Sequence, residues 1–473
     1  LVLIAKVYFE QSYDDFYPDR DRVYQVWAKY QQNGGELKDY PQTSGGIAPT
    51  MQQQIPEIET VTRYTSFGDW TFTMTDTKMK YSGRCIIADS CFFDILPRPM
   101  LIGNAKEVLS TPMYVLISSR IAKNIGGDVI GKNFTVDNSP GRTMTIGGVF
   151  EEVPENSHSR YDVIVSMASA GRFMWEGSPT NMLGNDRYIS YVKLHKGVNP
   201  LALEEQVRTF VNSYFPPEEQ QKVGLSIDFS FHKLDNLHKE LPQVKRMTWI
   251  LSLLAFALIF TAVMNYILIV ISSIVNRSKE VAVHKCYGAS ENNIHGMMFG
   301  EALVHIVLSL ILALLLILAF RGTVEELLAT SLDSLLLSNG SLVLLGICIL
   351  VFFVSGFMPG SLYARIPVAS AFRNYRENKR IWKKALLLVQ FVATGFLVTM
   401  LVFVARQYTF MVNDRPGYAY ENLAYCGLAG VDSTSRAKIL DEVMRLPGVA
   451  AATTVYQLPF EHASGNNILL PGG

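Results

Sequence analysis

Two ionisable residues stand one helical turn apart in an otherwise apolar stretch. Glu301 and His305 lie near the start of the run 297–320, where a helix puts both side chains on one face. A carboxylate and an imidazole so placed can relay a proton, and ionisable groups are costly enough in lipid to be candidates for function by default. The other reading puts Glu301 at headgroup level, reaching water or a neighbouring helix; its place near the inner end of the run favours this reading. Asn265, in the middle of the preceding run, suits a hydrogen bond to a neighbouring helix better than one to a substrate.

Other chemistry is thinner. Gly126-Gly127-Asp128-Val129-Ile130-Gly131-Lys132-Asn133 has the glycines and lysine of a phosphate loop, but Asn133 replaces the hydroxyl that would hold magnesium. The expectation is a glycine turn leading into a strand at 134–136, and a chain that does not itself hydrolyse ATP. No HExxH or GxSxG spacing occurs. His158, within Pro154-Glu155-Asn156-Ser157-His158-Ser159, reads as part of a polar turn rather than a catalytic site. The 5 cysteines have no metal-ligand spacing. Cys85 and Cys91 either pair or, the favoured reading, are isolated thiols. Neither a cofactor, a metal nor a nucleic-acid partner is expected.

The elements that carry these residues are mostly membrane spans. Apolar runs at 249–275, 297–320, 341–364 and 385–405 each approach the roughly 20 residues that cross a bilayer as a helix. Helix is required because every backbone polar group in lipid must find a partner within the segment. Leu1–Ala5 reads as the tail of a further span, and both ends of the chain look cut. Formal net charge is zero, yet the loops differ. Loop 365–384 carries Arg365, Arg373, Arg376, Lys379, Arg380, Lys383 and Lys384 against Glu377, and loop 276–296 carries Arg277, Lys279 and Lys285. Loop 321–340 holds Arg321 against Glu325, Glu326 and Asp333. Basic loops stay in the cytoplasm. The regions 9–246 and 406–473 are therefore outside.

Region 9–246 has the mixture of a compact α/β domain. Strand alternation shows at 22–27 and 143–150, and helical patterns at 47–55 and 200–214. A faint duplication lays 51–62 on 443–453: in each a helix ends at an apolar-Pro pair and a short strand is expected to follow. The expected fold is an α-helical membrane protein with a mixed α/β extracytoplasmic domain. Its parts are the end of a first span (1–8), the large outer domain (9–246), a membrane domain (247–384), the first span of a second half (385–405) and the start of a second outer domain (406–473).

The most informative stretch is 276–290. A membrane hairpin normally turns in a few polar residues, whereas this one carries about two helical turns of charged and small residues before a Gly-Ala-Ser break. It is expected to be a short helix, with Val281 and the stem of Lys285 on one face and Arg277, Glu280 and His284 elsewhere. Gly288 can supply a left-handed cap and Ser290 can cap the next helix, with Glu291 in its first turn. The segment is either a solvated loop or a helix that docks in a groove of a soluble partner.

Arg277-Ser278-Lys279-Glu280-Val281-Ala282-Val283-His284-Lys285-Cys286-Tyr287-Gly288-Ala289-Ser290 resembles the signature of the FtsX/MacB-type ABC transporter permeases, R-x-x-E-[IV]-[GA]-[IV]-[RK]-[KR]-x-x-G-A-[ST]. His284 departs from the usual basic residue. The segments 9–16 with 21–26, 130–132, and 148–150 with 154–158 resemble the MacB-like periplasmic core. Leu387-Leu388-Val389-Gln390-Phe391 resembles the start of the second half in duplicated, eight-span Bacteroidetes-like permeases.

The resemblance implies a bacterial inner-membrane permease subunit that works by mechanotransmission, coupling ATP hydrolysis by a separate cytoplasmic ABC ATPase to movement of periplasmic domains. Export or efflux of a peptide, lipoprotein or antibiotic would follow. Arg277, Lys279, Glu280, Val281, Lys285, Gly288 and Ala289 would form the ATPase-facing element. The implied partners are that ATPase, membrane lipid, a second permease in a homodimer or heterodimer, and a periplasmic adaptor. The alternative function is a membrane-anchored sensor or scaffold with a ligand-binding ectodomain and no ATPase; an ion-coupled transporter using Glu301 and His305 is a third.

Overall fold

The computed structural model describes residues 2–136, 139–184, 186–336, 340–364, 381–414, 422–428, 431 and 433–455. The chain opens on α1 (Val2–Gln11) and enters the outer domain through β1 (Val23–Gln32), β2 (Lys38–Tyr40), α2 (Ile47–Gln54), β3 (Ile58–Met74) and β4 (Lys80–Ala88). Then come α3 (Phe92–Ile95), β5 (Met100–Ile102), α4 (Ala105–Ser110), β6 (Tyr114–Ser118), α5 (Ser119–Ile125), β7 (Asn133–Val136) and β8 (Ser139–Phe150). The domain finishes with β9 (Val163–Ser166), α6 (Ala170–Phe173), β10 (Ile189–Leu194), α7 (Glu204–Tyr214), α8 (Pro217–Val223) and β11 (Leu225–Lys233).

The strands follow the order β11-β1-β10-β3-β4-β9-β6-β8-β5, and β7 bridges β3 and β8. That bridge closes β3, β4, β9, β6, β8 and β7 into a ring, and closure removes their exposed edges. The ring encloses an apolar core that includes Phe72, Ile87, Val115, Phe134, Ile146 and Val165. β3 belongs to two bodies. Its first half pairs with β10 and its second with β7, while β4 runs along it across a bulge between Ser66 and Gly68. Gly68 sits there at φ 72°, a conformation that costs glycine little. The open side of the sheet, β11-β1-β10, is covered by α2 and α7 through Ile47, Met51, Val207 and Phe210.

The strand patterns at 22–27 and 143–150 fall in β1 and β8, and the helical pattern at 200–214 becomes a 3-10 turn followed by α7. Residues 126–133 form a turn: Gly126, Gly127 and Gly131 have φ of 75°, 65° and 77°, and β7 follows. Cys85 is buried in β4 and Cys91 half-buried beside α3, and both are free thiols. Burial raises the pKa of each.

The membrane portion holds α9 (Pro242–Cys286), α10 (Glu291–Ala319), α11 (Arg321–Leu328), α12 (Leu332–Leu336), α13 (Gly340–Ala364) and a long helix, α14 (Ile381–Asn413). Four of the described helices are long and apolar enough to span a membrane. α10 packs on α13, and α9 packs on α1, α13 and α14. Most of the basic loop 365–384 lies outside the described residues. In the last part, α15 (Ser433–Met444) ends just before Leu446-Pro447, as the duplication expects, but the strand expected next is not formed in 449–455. A strand needs a neighbouring backbone to pair with, and those residues lie along none of the described strands.

The ring core makes a direct prediction. Phe72, 1% exposed, packs 5.0 Å from Phe134 across β3 and β7. Phe72→Ala should destabilise the outer domain by about 3–5 kcal/mol, as cavity formation in a packed core does, read by thermal melting of the full chain in detergent.

Candidate functional site

The segment expected to form its own short helix is the end of α9 instead. The helix passes without interruption through 276–286 and stops only at the turn. Charged residues end an apolar run but do not break a helix: Arg, Lys and Glu propagate one well. The stop is a glycine cap. Gly288 stands at φ 88°, its N–H donates to the Lys285 carbonyl at 3.0 Å, and the Ala289 N–H reaches back to His284 at 3.0 Å. Ser290 then caps α10, its hydroxyl accepting from the Asn293 N–H at 3.4 Å.

The hairpin is held from inside. Val281 and Ala282, each 1% exposed, pack with Ile267 of α9 and Ile294 and Met298 of α10. Farther along, the Tyr266 ring meets His305 at 5.8 Å. Val281 is thus turned inward and has no surface to offer a soluble partner. Lys285 and Ala289 are half-buried. Lys279, Glu280, His284 and Gly288 face outward, and the side chain of Arg277 lies outside the described residues.

Val283 and Tyr287, 43% and 89% exposed, join that outward face. Neither stood among the sequence-nominated residues. Lys279, Val283 and Tyr287 recur at intervals of four, so they share one helical stripe beside Glu280 and His284. The signal was in the spacing, once the segment is read in register with the membrane helix. The stripe places an aromatic and an aliphatic side chain among charges at the tip of a hairpin.

His305 projects outward with Nδ1 2.8 Å from the main-chain oxygen of Glu301, and Glu301 is half-buried. Asn265 lies on an exposed face of α9.

A family model of the MacB-like periplasmic core domain matches residues 2–210, and one of the FtsX-like permease C-terminal region matches 252–368; together they take in more than half of the chain. The chain belongs to the FtsX/MacB-type permeases. A domain of a putative permease from Porphyromonas gingivalis is 33% identical, with 46% of this chain and 91% of that one covered and a TM-score of 0.42. The periplasmic region of MacB from Actinobacillus actinomycetemcomitans is similar at 15% identity over 44% of this chain and 87% of that one, TM-score 0.28. The extracellular domain of the noncanonic ABC-type transporter YknZ from Gram-positive bacteria shares 11% identity over 43% and 98%, TM-score 0.31. No curated protein matches the chain significantly. The permease is a multi-pass inner-membrane protein with its α/β domain in the periplasm, a component of an ABC transporter.

At the periplasmic end of the permease a second cluster joins distant parts of the chain. Lys6 and Glu10 of α1 form an ion pair at 2.7 Å and are 7% and 5% exposed. Lys6 Nζ donates to Thr330 Oγ1, between α11 and α12, at 2.7 Å. Glu10 accepts from His238, just before α9, at 2.6 Å, and the His238 ring stacks on Tyr13 at 3.4 Å. Sequence reading missed these residues because Lys6 and Glu10 look like the polar fringe of a helix end; their partners are 228 and 324 residues away.

Burial alone would raise the pKa of Glu10, but hydrogen bonds from His238 and Lys6 overrule it and hold the carboxyl below its ordinary 4.5. A carboxyl shifted down stabilises the fold at neutral pH and loses that contribution as pH falls through its folded value. Melting of the full chain in detergent should therefore weaken steeply below about pH 4.5. Glu10→Gln should flatten that dependence and lower the melting temperature at pH 7; an unchanged acid profile would show that Glu10 plays no part in it.

Proposed function

We propose that this permease works by mechanotransmission, receiving the movement of a cytoplasmic ABC ATPase at the hairpin 279–290 and passing it to the periplasmic domain. The observation that carries this reading is the length and continuity of α9. Its 45 residues start at the outer domain, cross the membrane and end in the exposed stripe. At 1.5 Å per residue such a helix is about 67 Å long, more than twice the roughly 30 Å of a bilayer's hydrocarbon core. One continuous helix therefore has an end in each compartment.

In this reading the ATPase groove takes Tyr287 and Val283 as apolar anchors, with Lys279, Glu280 and His284 around them. Arg277 and Lys285 add positive charge, Gly288 and Ala289 fix the turn, and Val281 locks the hairpin from within. The chain supplies no nucleotide chemistry of its own; ATP turnover belongs to the partner. A dimer of permeases, contact with membrane lipid and a periplasmic adaptor complete the assembly, whose cargo is a peptide, lipoprotein or antibiotic. Asn265 and the outward helix faces are open to the second permease.

The test is co-purification and ATP turnover of the reconstituted complex. Tyr287→Ala and Glu280→Lys should each reduce permease-dependent ATP turnover about tenfold or more, the size expected for losing one anchor of a small interface, with membrane insertion unchanged. Gly288→Pro, which removes the capping N–H, should do the same. Full ATP turnover and ATPase recovery in all three variants would overturn the assignment and bring forward the sensor reading.

A further inference from the structure

The loop 154–160 reaches three separate parts of the molecule. Its first hook goes to the membrane domain: Glu155 Oε2 accepts the Ser331 N–H at 3.0 Å, between α11 and α12. The second goes to the segment that follows α1. The Asn156 carbonyl accepts the Asp14 N–H at 2.9 Å, and the Asn156 side chain donates to the Ser12 carbonyl at 2.7 Å. Asp14 itself is fully buried at φ 60° and accepts from Ser157 Oγ at 3.1 Å and from the His158 N–H at 3.3 Å. Its other oxygen lies 2.7 Å from His158 Nδ1. The third hook goes to the sheet: His158 Nε2 meets the Tyr191 hydroxyl in β10, and Ser159 Oγ lies 2.7 Å from Tyr64 of β3 and 3.0 Å from His158 Nε2.

Aspartate, histidine and serine in contact suggest a nucleophile and its base. The geometry gives them another task. The Ser159 hydroxyl is caught between Tyr64 and His158 in a residue only 3% exposed, and the Tyr191 hydroxyl shares His158 Nε2. Buried networks of this kind hold backbones in place, and one left half-satisfied is expensive. What they hold here is the central strands, the end of α1 and the outer membrane loop.

We infer that Glu155, Asn156 and His158, with Asp14, form a clasp that makes the periplasmic domain move as one with α1 and the 321–336 loop. The clasp adds a direct tie between the domain and the outer loop to the two chain crossings, after α1 and before α9. The inference rests on the mechanotransmission reading and names the residues at its outer end. Glu155, Asn156 and His158 position; they do no chemistry.

Two measurements on the full chain in nanodiscs separate the clasp from the reading on which it rests. Amide exchange needs no ATPase. Asp14→Ala should speed exchange in 12–16, in 154–160 and also in 329–333, which Asp14 does not touch; Glu155→Ala should do so only in 329–333. The expected rise is about tenfold or more, the effect of one lost charge-assisted hydrogen bond. Exchange that rises in Asp14→Ala only beside the substituted residue would overturn the clasp.

With the ATPase added, spin labels on the periplasmic domain and on α11 should move together in the ATP cycle of the wild type. In Glu155→Ala that concerted movement should be lost while permease-dependent ATP turnover persists, which a merely destabilised protein would not show. Concerted movement kept in Glu155→Ala overturns the clasp. A wild type without ATP-driven movement, but with the exchange linkage intact, overturns mechanotransmission instead.

Discussion

A buried peptide group has no water to turn to inside a bilayer, and the permease meets that constraint with helices whose hydrogen bonds are internal. α9 takes the consequence furthest. Because nothing in it interrupts the ladder between Pro242 and Cys286, the same element that ends the periplasmic domain also begins the cytoplasmic hairpin. The inner cluster of Val281, Ala282, Ile294 and Met298 fixes the orientation of the hairpin. That in turn decides which side chains face the cytoplasm. The outward stripe is a consequence of the inward packing.

The outer end solves a different problem. The periplasmic domain hangs between α1 and α9, and two single strands of chain would allow it to swing. Lys6, Glu10, His238 and Thr330 tie the two crossings to the loop between α11 and α12 with short, mostly buried polar contacts. Apolar packing backs them: Ala5 and Phe9 sit with Leu332 and Leu335 in a small core. A buried ion pair adds little net stability over an apolar equivalent, but it is directional and tolerates no misplacement. Such contacts suit a joint that keeps one geometry.

Much of this was legible in the sequence, and unevenly so. The spans were readable because composition alone separates a long apolar run from anything else. The glycine cap and the Ser290 cap were readable because each residue type serves a backbone need that few others meet. The end of α9 was misread as a separate short helix, since a charged segment after an apolar one looks like a loop until its helix propensity is weighed. The inward turn of Val281 and the outward turn of Val283 depend on the register of the whole helix and cannot be taken from the segment alone. In the outer domain the strand expected after Pro56 is the start of β3, but its length was missed; Gly68 and Asp69 interrupt its pattern at the bulge where it passes from one body to the other. His158 read as a turn residue because Asp14 is 144 positions away.

The proposed rigid transmission through α9 is tested directly by pulsed electron resonance between spin labels at Lys245 and Lys279, both exposed and near opposite ends of the helix. Their separation of 34 positions corresponds to about 51 Å of helix. A rod predicts one narrow distance near that value, the same with and without ATP, while distances from either label to other parts of the complex change. A distance between the two labels that shortens or broadens when ATP binds would mean that α9 bends or unwinds, and would contradict the account.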